Sequence, residues 1–118
     1  MKNRPFGSRL GFAWAGLRAA WRQEKSFRTQ GWFALAALLL LLLLRPAPLW
    51  WALIGVMVAL VLAAELVNTA LEHLADHLHP DEHPNIKLVK DCAAAAVLLL
   101  SLASLWLVVI MLLEQFQR

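Results

Sequence analysis

The chain has no tyrosine and a single cysteine among its 118 residues. Without a second thiol no intramolecular disulfide can form. Cys92 opens a long apolar run and reads as a buried packing residue. Glycine is scarce, at five residues, and no GxxxxGK sequence occurs. A nucleotide would therefore be held without a glycine-rich phosphate loop. Charge is scarce too, at 16%, where soluble domains are about 25% charged. In its place stand 61% hydrophobic residues, above the soluble norm of about half. The length suits one domain, residues 1–118.

What is present is gathered into three uncharged runs: "GWFALAALLLLLLL" (31–44), "LWWALIGVMVALVLAA" (49–64) and "CAAAAVLLLSLASLWLVVIMLL" (92–113). A membrane-crossing helix needs about 20 apolar residues. The third run meets this directly. The second meets it with Leu66 and Val67 added. The first is extended by snorkelling of Gln30 and Arg45. The expected helices are 30–45, 49–76 and 86–113. A cleavable signal peptide is not expected, because about thirty polar or amphipathic residues precede the first run. "RPAP" (45–48) predicts a tight turn, since proline blocks helix continuation. Trp50 and Trp51 follow it, where indoles anchor at a membrane interface.

Seven of the eleven Lys and Arg residues precede residue 30: Lys2, Arg4, Arg9, Arg18, Arg22, Lys25 and Arg28. Lys87 and Lys90 lie between the second and third runs; Arg45 and Arg118 are the others. The positive-inside rule then places the N-terminus and the 65–91 loop in the cytoplasm, with the C-terminus outside. A helix is expected over 8–28. Leu10, Trp14, Leu17 and Trp21 share an arc at 100° per residue, flanked by Arg18, Arg22 and Lys25. That pattern suits an amphipathic helix on a membrane surface rather than a nucleic-acid arm. Glu24 lies on the other flank, as a surface or salt-bridged carboxylate.

The second run ends unusually, in "AAELVNTALEHLAD" (63–76). Glu65, Asn68, Glu72 and Asp76 fall within an arc of about 80° on a helix. Glu65 lies about 24 Å from Leu49 along the axis, near the inner edge of the hydrocarbon. Three carboxylates on one face repel, unless a cation sits among them. Hard divalent ions take carboxylate and phosphate oxygens. The plain alternative is a solvated helix extension. Across the turn "HLHPDEHPN" (77–85), Lys90 can meet a phosphate, and Asp91 can bind metal or orient the lysine. The alternative there is a snorkelling lysine with an aspartate at a helix N-terminus. His73 and His77, four apart, could ligate zinc, though no cysteine pair accompanies them. His83, beside Asp81 and Glu82, could touch a nucleotide. The small residues from Cys92 to Ala96 allow close backbone approach. Together these pieces point to phosphoryl transfer at a membrane surface. An ion or proton transporter is the competing class, but its carboxylates belong deeper in the bilayer.

"ELVNTALEHLAD" (65–76), followed by "HPNIKLVKDCAAAAV" (83–97), resembles the signature of the small bacterial integral-membrane diacylglycerol kinases. That family also includes undecaprenol kinases. "GLRAAWRQEKSFRTQG" (16–31) is similar to the segment before its first span. The resemblance covers roughly residues 9–113. Two departures stand out: Ala93–Ala96 replaces a run that usually contains glycine, and Phe12 stands where some members have tyrosine.

The resemblance implies an all-α membrane protein, with an N-terminal amphipathic surface helix and three transmembrane helices, assembled as a homotrimeric bundle in the bacterial inner membrane. It implies an ATP- and Mg²⁺-dependent kinase acting on a lipid hydroxyl, with diacylglycerol or undecaprenol as substrate. Residue by residue, it implies Glu65 as catalytic base with Asn68 beside it, and Glu24 and Glu72 as ligands of the ATP-bound Mg²⁺. Lys90 and Asp91 correspond to a nucleotide-contacting pair. Asp81, Glu82 and His83 correspond to the turn near the nucleotide.

Overall fold

A computed structural model describes residues 3–117. Lys2 and Arg118, counted above among the cations, lie outside the described residues. The chain forms four helices: α1 (Phe6–Gln23), α2 (Lys25–Leu44), α3 (Pro48–Leu78) and α4 (Pro84–Phe116). The last three are long and apolar enough to cross a membrane. The molecule extends 55 Å along its longest axis, matching the roughly 50 Å of a 33-residue helix.

The helix expected over 8–28 is divided. Glu24 adopts extended backbone (φ −114°, ψ 111°), ending α1 and starting α2. Residues 25–29 thus belong to α2. No proline or glycine forces this break. It is supported by Arg28, whose guanidinium donates to the carbonyls of Trp21 (2.7 Å) and Arg22 (3.1 Å). Those carbonyls lie in the last turn of α1, where helical partners run out. Trp21 packs edge-on to Phe27, centroids 6.4 Å apart, and lies 6.0 Å from Trp32. The α1–α2 elbow is therefore an aromatic joint. Leu10 and Trp14 remain exposed on α1.

α2 ends at Arg45 in the left-handed region (φ 46°, ψ 58°), with its N–H on the Leu41 carbonyl. Pro48 then starts α3 in the first turn, where its missing N–H costs nothing. α3 and α4 form the main hairpin. At its connection His83 caps α4 by accepting the Asn85 N–H through Nδ1 at 3.1 Å.

Three seams position the site. On α3, Ile54, Val58, Val61, Glu65, Asn68 and Glu72 follow alternate spacings of four and three, the period of a packed helical seam. On α2 the seam is Phe27, Gln30, Ala34, Ala37 and Leu41; on α4 it is Ser101, Ser104, Val108 and Met111. All of these are buried or half-buried. Toward the Arg45–Ala47 turn the seams are apolar. Leu41, Ile54 and the fully enclosed Met111 make a core there, with Trp50, Trp51 and Val108 against it. The Trp50 indole N–H donates to the Glu114 carboxylate. That polar edge, expected at an interface, is used within the chain. Toward the 79–83 turn each seam changes character, to Gln30, Glu65 and Ser101. We call these the proline end and the charged end. Cys92 is exposed, contrary to the expectation of a packed thiol. It lies off the α4 seam.

Candidate active site

The polar stripe on α3 is the continuation of its apolar seam, so its carboxylates point where Ile54 and Val61 point, toward neighbouring helices. Glu65 is consequently 4% exposed, the one buried charged side chain among the described residues. The Gln30 side chain lies against the Glu65 carboxylate. The Gln30 amide also donates to Ser101 Oγ at 3.2 Å. Lys25, Ser26, Thr29, Gln30 and Glu65 line a cavity of about 260 Å³.

One turn along, Asn68 Nδ2 donates to Glu72 Oε1 at 3.3 Å. Asn68 Oδ1 is buried and has no hydrogen-bond partner. A buried orphan acceptor costs about 1–3 kcal/mol, so this oxygen fits a site completed by a ligand. The charges of Glu72 and Glu24 both act on Glu65. The structure therefore gathers Glu24, Glu65, Asn68 and Glu72 into one acidic, oxygen-rich cluster. Glu24 reaches it from the elbow, with Oε1 3.3 Å from His73 Nε2.

Among the described residues, no three His, Cys, Asp or Glu side chains close on one point as a complete metal cage. Hard oxygens from two carboxylates and an amide suit an ion that arrives on phosphates, since Mg²⁺ is commonly bound that way. Softer zinc chemistry has less support: His73 engages Glu24, and His79 donates through Nδ1 to the Asp81 carbonyl at 2.7 Å.

The basic groups lie beyond. Lys90 Nζ is 2.5 Å from Asp76 Oδ1, tying α4 to α3. Lys87 Nζ is 2.6 Å from Asp91 Oδ2. Each hydrogen bond to a carboxylate raises its lysine above the ordinary range, so both stay cationic. Asp91 thus serves Lys87, and Asp76 takes the place beside Lys90 that the sequence offered to Asp91. Asp81 and Glu82 are exposed in the turn, and the Glu82 charge acts on Lys87 and Lys90. His83 is close to that turn but spends Nδ1 on the α4 cap.

The reading from sequence missed Gln30 beside the cluster, and it considered His73 only as a zinc ligand and not as a partner of Glu24. Gln30 occupies the same packed seam as Ala34, Ala37 and Leu41, which only the structure distinguishes from the other faces of α2. A second, apolar cavity of about 410 Å³ runs from Gln30 and Ser101 between α2, α3 and α4, past Ala37, Val58 and Leu105. Gln30 borders both cavities.

Comparison with known proteins identifies the family. The family described as prokaryotic diacylglycerol kinase matches residues 11–112. The diacylglycerol kinase of Escherichia coli (strain K12) is 35% identical over 89 residues, covering 75% of this chain and 73% of that protein. The undecaprenol kinase of Bacillus subtilis (strain 168) is 33% identical over 96 residues, covering 79% of this chain and 77% of that protein. The diacylglycerol kinase of Synechocystis is 35% identical over 94 residues, covering 79% of this chain and 54% of that protein. The matched stretch takes in the elbow, the acidic seam of α3 and the lysines of α4, and the chain belongs to the prokaryotic diacylglycerol kinase family.

Proposed function

We propose that this protein transfers the γ-phosphoryl group of ATP to the hydroxyl of diacylglycerol, giving phosphatidic acid at the cytoplasmic face of the bacterial inner membrane. The observation that carries the reading is Glu65: a buried carboxylate at the point where an apolar, membrane-length seam turns polar. A lipid hydroxyl and a cytoplasmic nucleotide meet at that level.

In this reaction Glu65 accepts the hydroxyl proton as the lipid oxygen bonds to phosphorus and ADP leaves. General-base help of this kind contributes about 10²–10⁴-fold. Gln30 holds the carboxylate from α2. Glu24, Glu72 and the free Asn68 Oδ1 would hold Mg²⁺, which when bound neutralises charge on the transferred group. Lys90 presents an ammonium to the phosphates, exchanging Asp76 for them as its anionic partner. Asp91 keeps Lys87 in place, and the Asp81–His83 turn borders the nucleotide. The acyl chains remain in apolar surroundings, for which the cavity beginning at Gln30 is suited.

The same reading takes α1 as an amphipathic helix on the cytoplasmic surface, its Leu10 and Trp14 turned to lipid. It takes the C-terminus as outside and the assembly as a homotrimer. The relative named undecaprenol kinase supports undecaprenol as the alternative acceptor. The test supplies the purified protein, in lipid, with Mg²⁺ and ATP labelled at the γ-phosphate, and offers diacylglycerol and undecaprenol separately. Label should appear in phosphatidic acid. Label in undecaprenyl phosphate alone would reassign the substrate, and label in neither lipid would sink the kinase reading.

A further inference from the structure

Glu24 sits in extended backbone between two helices, and its side chain caps neither of them. A carboxylate on such a break is free to turn among rotamers unless something holds it. His73 does so from α3, across 49 residues of sequence, with Nε2 3.3 Å from Glu24 Oε1. With the carboxylate ionised, the ring donates through Nε2–H. In the neutral ring this is the tautomer that carries its proton on Nε2. His73 also follows Glu72 directly in the helix. One residue of α3 thus carries a carboxylate of the cluster, and the next fixes the carboxylate that arrives from the elbow.

We propose that His73 is the positioning residue for Glu24. By taking Oε1 it leaves the second oxygen to face the cluster, and it sets the placement of the elbow carboxylate relative to Glu72. The inference rests on the reading above, in which Glu24 and Glu72 hold Mg²⁺ with ATP. The plain alternative is an exposed ion pair of little consequence: the His73 side chain is 58% exposed, that of Glu24 25%. The two differ in what they move. A surface pair leaves metal binding unchanged. Removing an outer partner of a ligand weakens metal binding, typically by about 10–100-fold.

The test compares wild type, His73→Ala and His73→Gln, the last retaining an N–H donor. With ATP and lipid saturating, His73→Ala should raise the Mg²⁺ concentration for half-maximal rate by about 10-fold, leaving the KM for lipid and the rate at saturating Mg²⁺ unchanged. His73→Gln should restore most of the loss. A second readout needs no turnover. Mn²⁺ is titrated into each protein with a non-hydrolysable ATP analogue and followed by the free-ion paramagnetic resonance signal, which should show the same shift. Circular dichroism and elution volume establish folding. A folded His73→Ala with an unchanged midpoint in both titrations overturns the proposal. Should the alanine variant fail to fold, His73→Phe, which keeps the ring but has no donor, takes its place, and an unchanged midpoint in that folded variant overturns the proposal instead. If wild type labels no lipid, the kinase reading fails, and the Mn²⁺ titration still decides whether His73 acts on metal binding.

Discussion

Gly31→Ala should loosen the elbow. A Cβ built on Gly31 would stand 2.6 Å from Trp21 Cζ3 and 3.3 Å from Cη2. Carbon atoms pack at about 3.5–4.0 Å, so close to 1 Å must be found. α2 can retreat, at the cost of overpacking, about 1–3 kcal/mol. Otherwise the indole can swing away, losing its contacts with Phe27 and Trp32. Aromatic pairs are worth about 0.5–1.5 kcal/mol each, so two of them cost about as much as overpacking. Both routes converge on a loss of about 1–3 kcal/mol, centred beside Glu24. Thermal unfolding in detergent micelles should show the loss, and limited trypsin digestion should cut faster at Lys25 and Arg28. Gly11→Ala is the control, since nothing lies within 4 Å of its Cβ. It should stabilise α1 by about 0.5–1 kcal/mol through backbone entropy alone. A Gly31→Ala protein as stable and as trypsin-resistant as wild type would refute the steric reasoning.

Glu65→Gln should lower lipid phosphorylation by about 10²–10⁴-fold without lowering thermal stability, because a neutral amide ends the repulsion from Glu72 and Glu24; retained turnover would remove Glu65 as base. Lys90→Ala should raise the KM for ATP by about 10-fold or more while the lipid KM stays constant, and equal effects on both would place Lys90 away from the nucleotide. Trp50→Phe keeps the ring packing but removes the donor to Glu114. It should cost about 1–2 kcal/mol in thermal unfolding with the turnover rate preserved, and unaltered stability would mean the bond contributes nothing.

How much could be read beforehand depended on the separation of the residues involved. The stripe of Glu65, Asn68 and Glu72 was legible because helical spacing alone puts them on one face. Its burial was not, because that follows from α2 and α4 meeting the same seam. Gln30 shows the difficulty well: the leucine-rich α2 offers apolar residues on every side, so its packed face does not stand out. The helix break at Glu24 carries no proline or glycine, and it depends on an arginine four residues later reaching back to two carbonyls. His83 had the right neighbourhood, yet its role in capping α4 is decided by local geometry at Pro84 and Asn85. The Trp50–Glu114 bond joins residues 64 apart, and neither side chain announces the other.

The uneven distribution of packing along the helices has a mechanical consequence. Met111, Ile54, Leu41 and the Trp50–Glu114 bond all lie at the proline end, while Glu24, Glu65, Asn68 and Glu72 lie toward the charged end. α3 and α4 are fastened at the charged end by the 79–83 turn and the Lys90–Asp76 pair, whereas α2 and α3 are joined at the proline end, by the Arg45–Ala47 turn. α2 is therefore a lever hinged at the far end from Glu65. Over about 30 Å of that lever, at 1.5 Å per residue, a tilt of only about 5° would move Glu24 by about 3 Å relative to Glu65. The elbow carboxylate is the group of the cluster with the longest reach from its hinge.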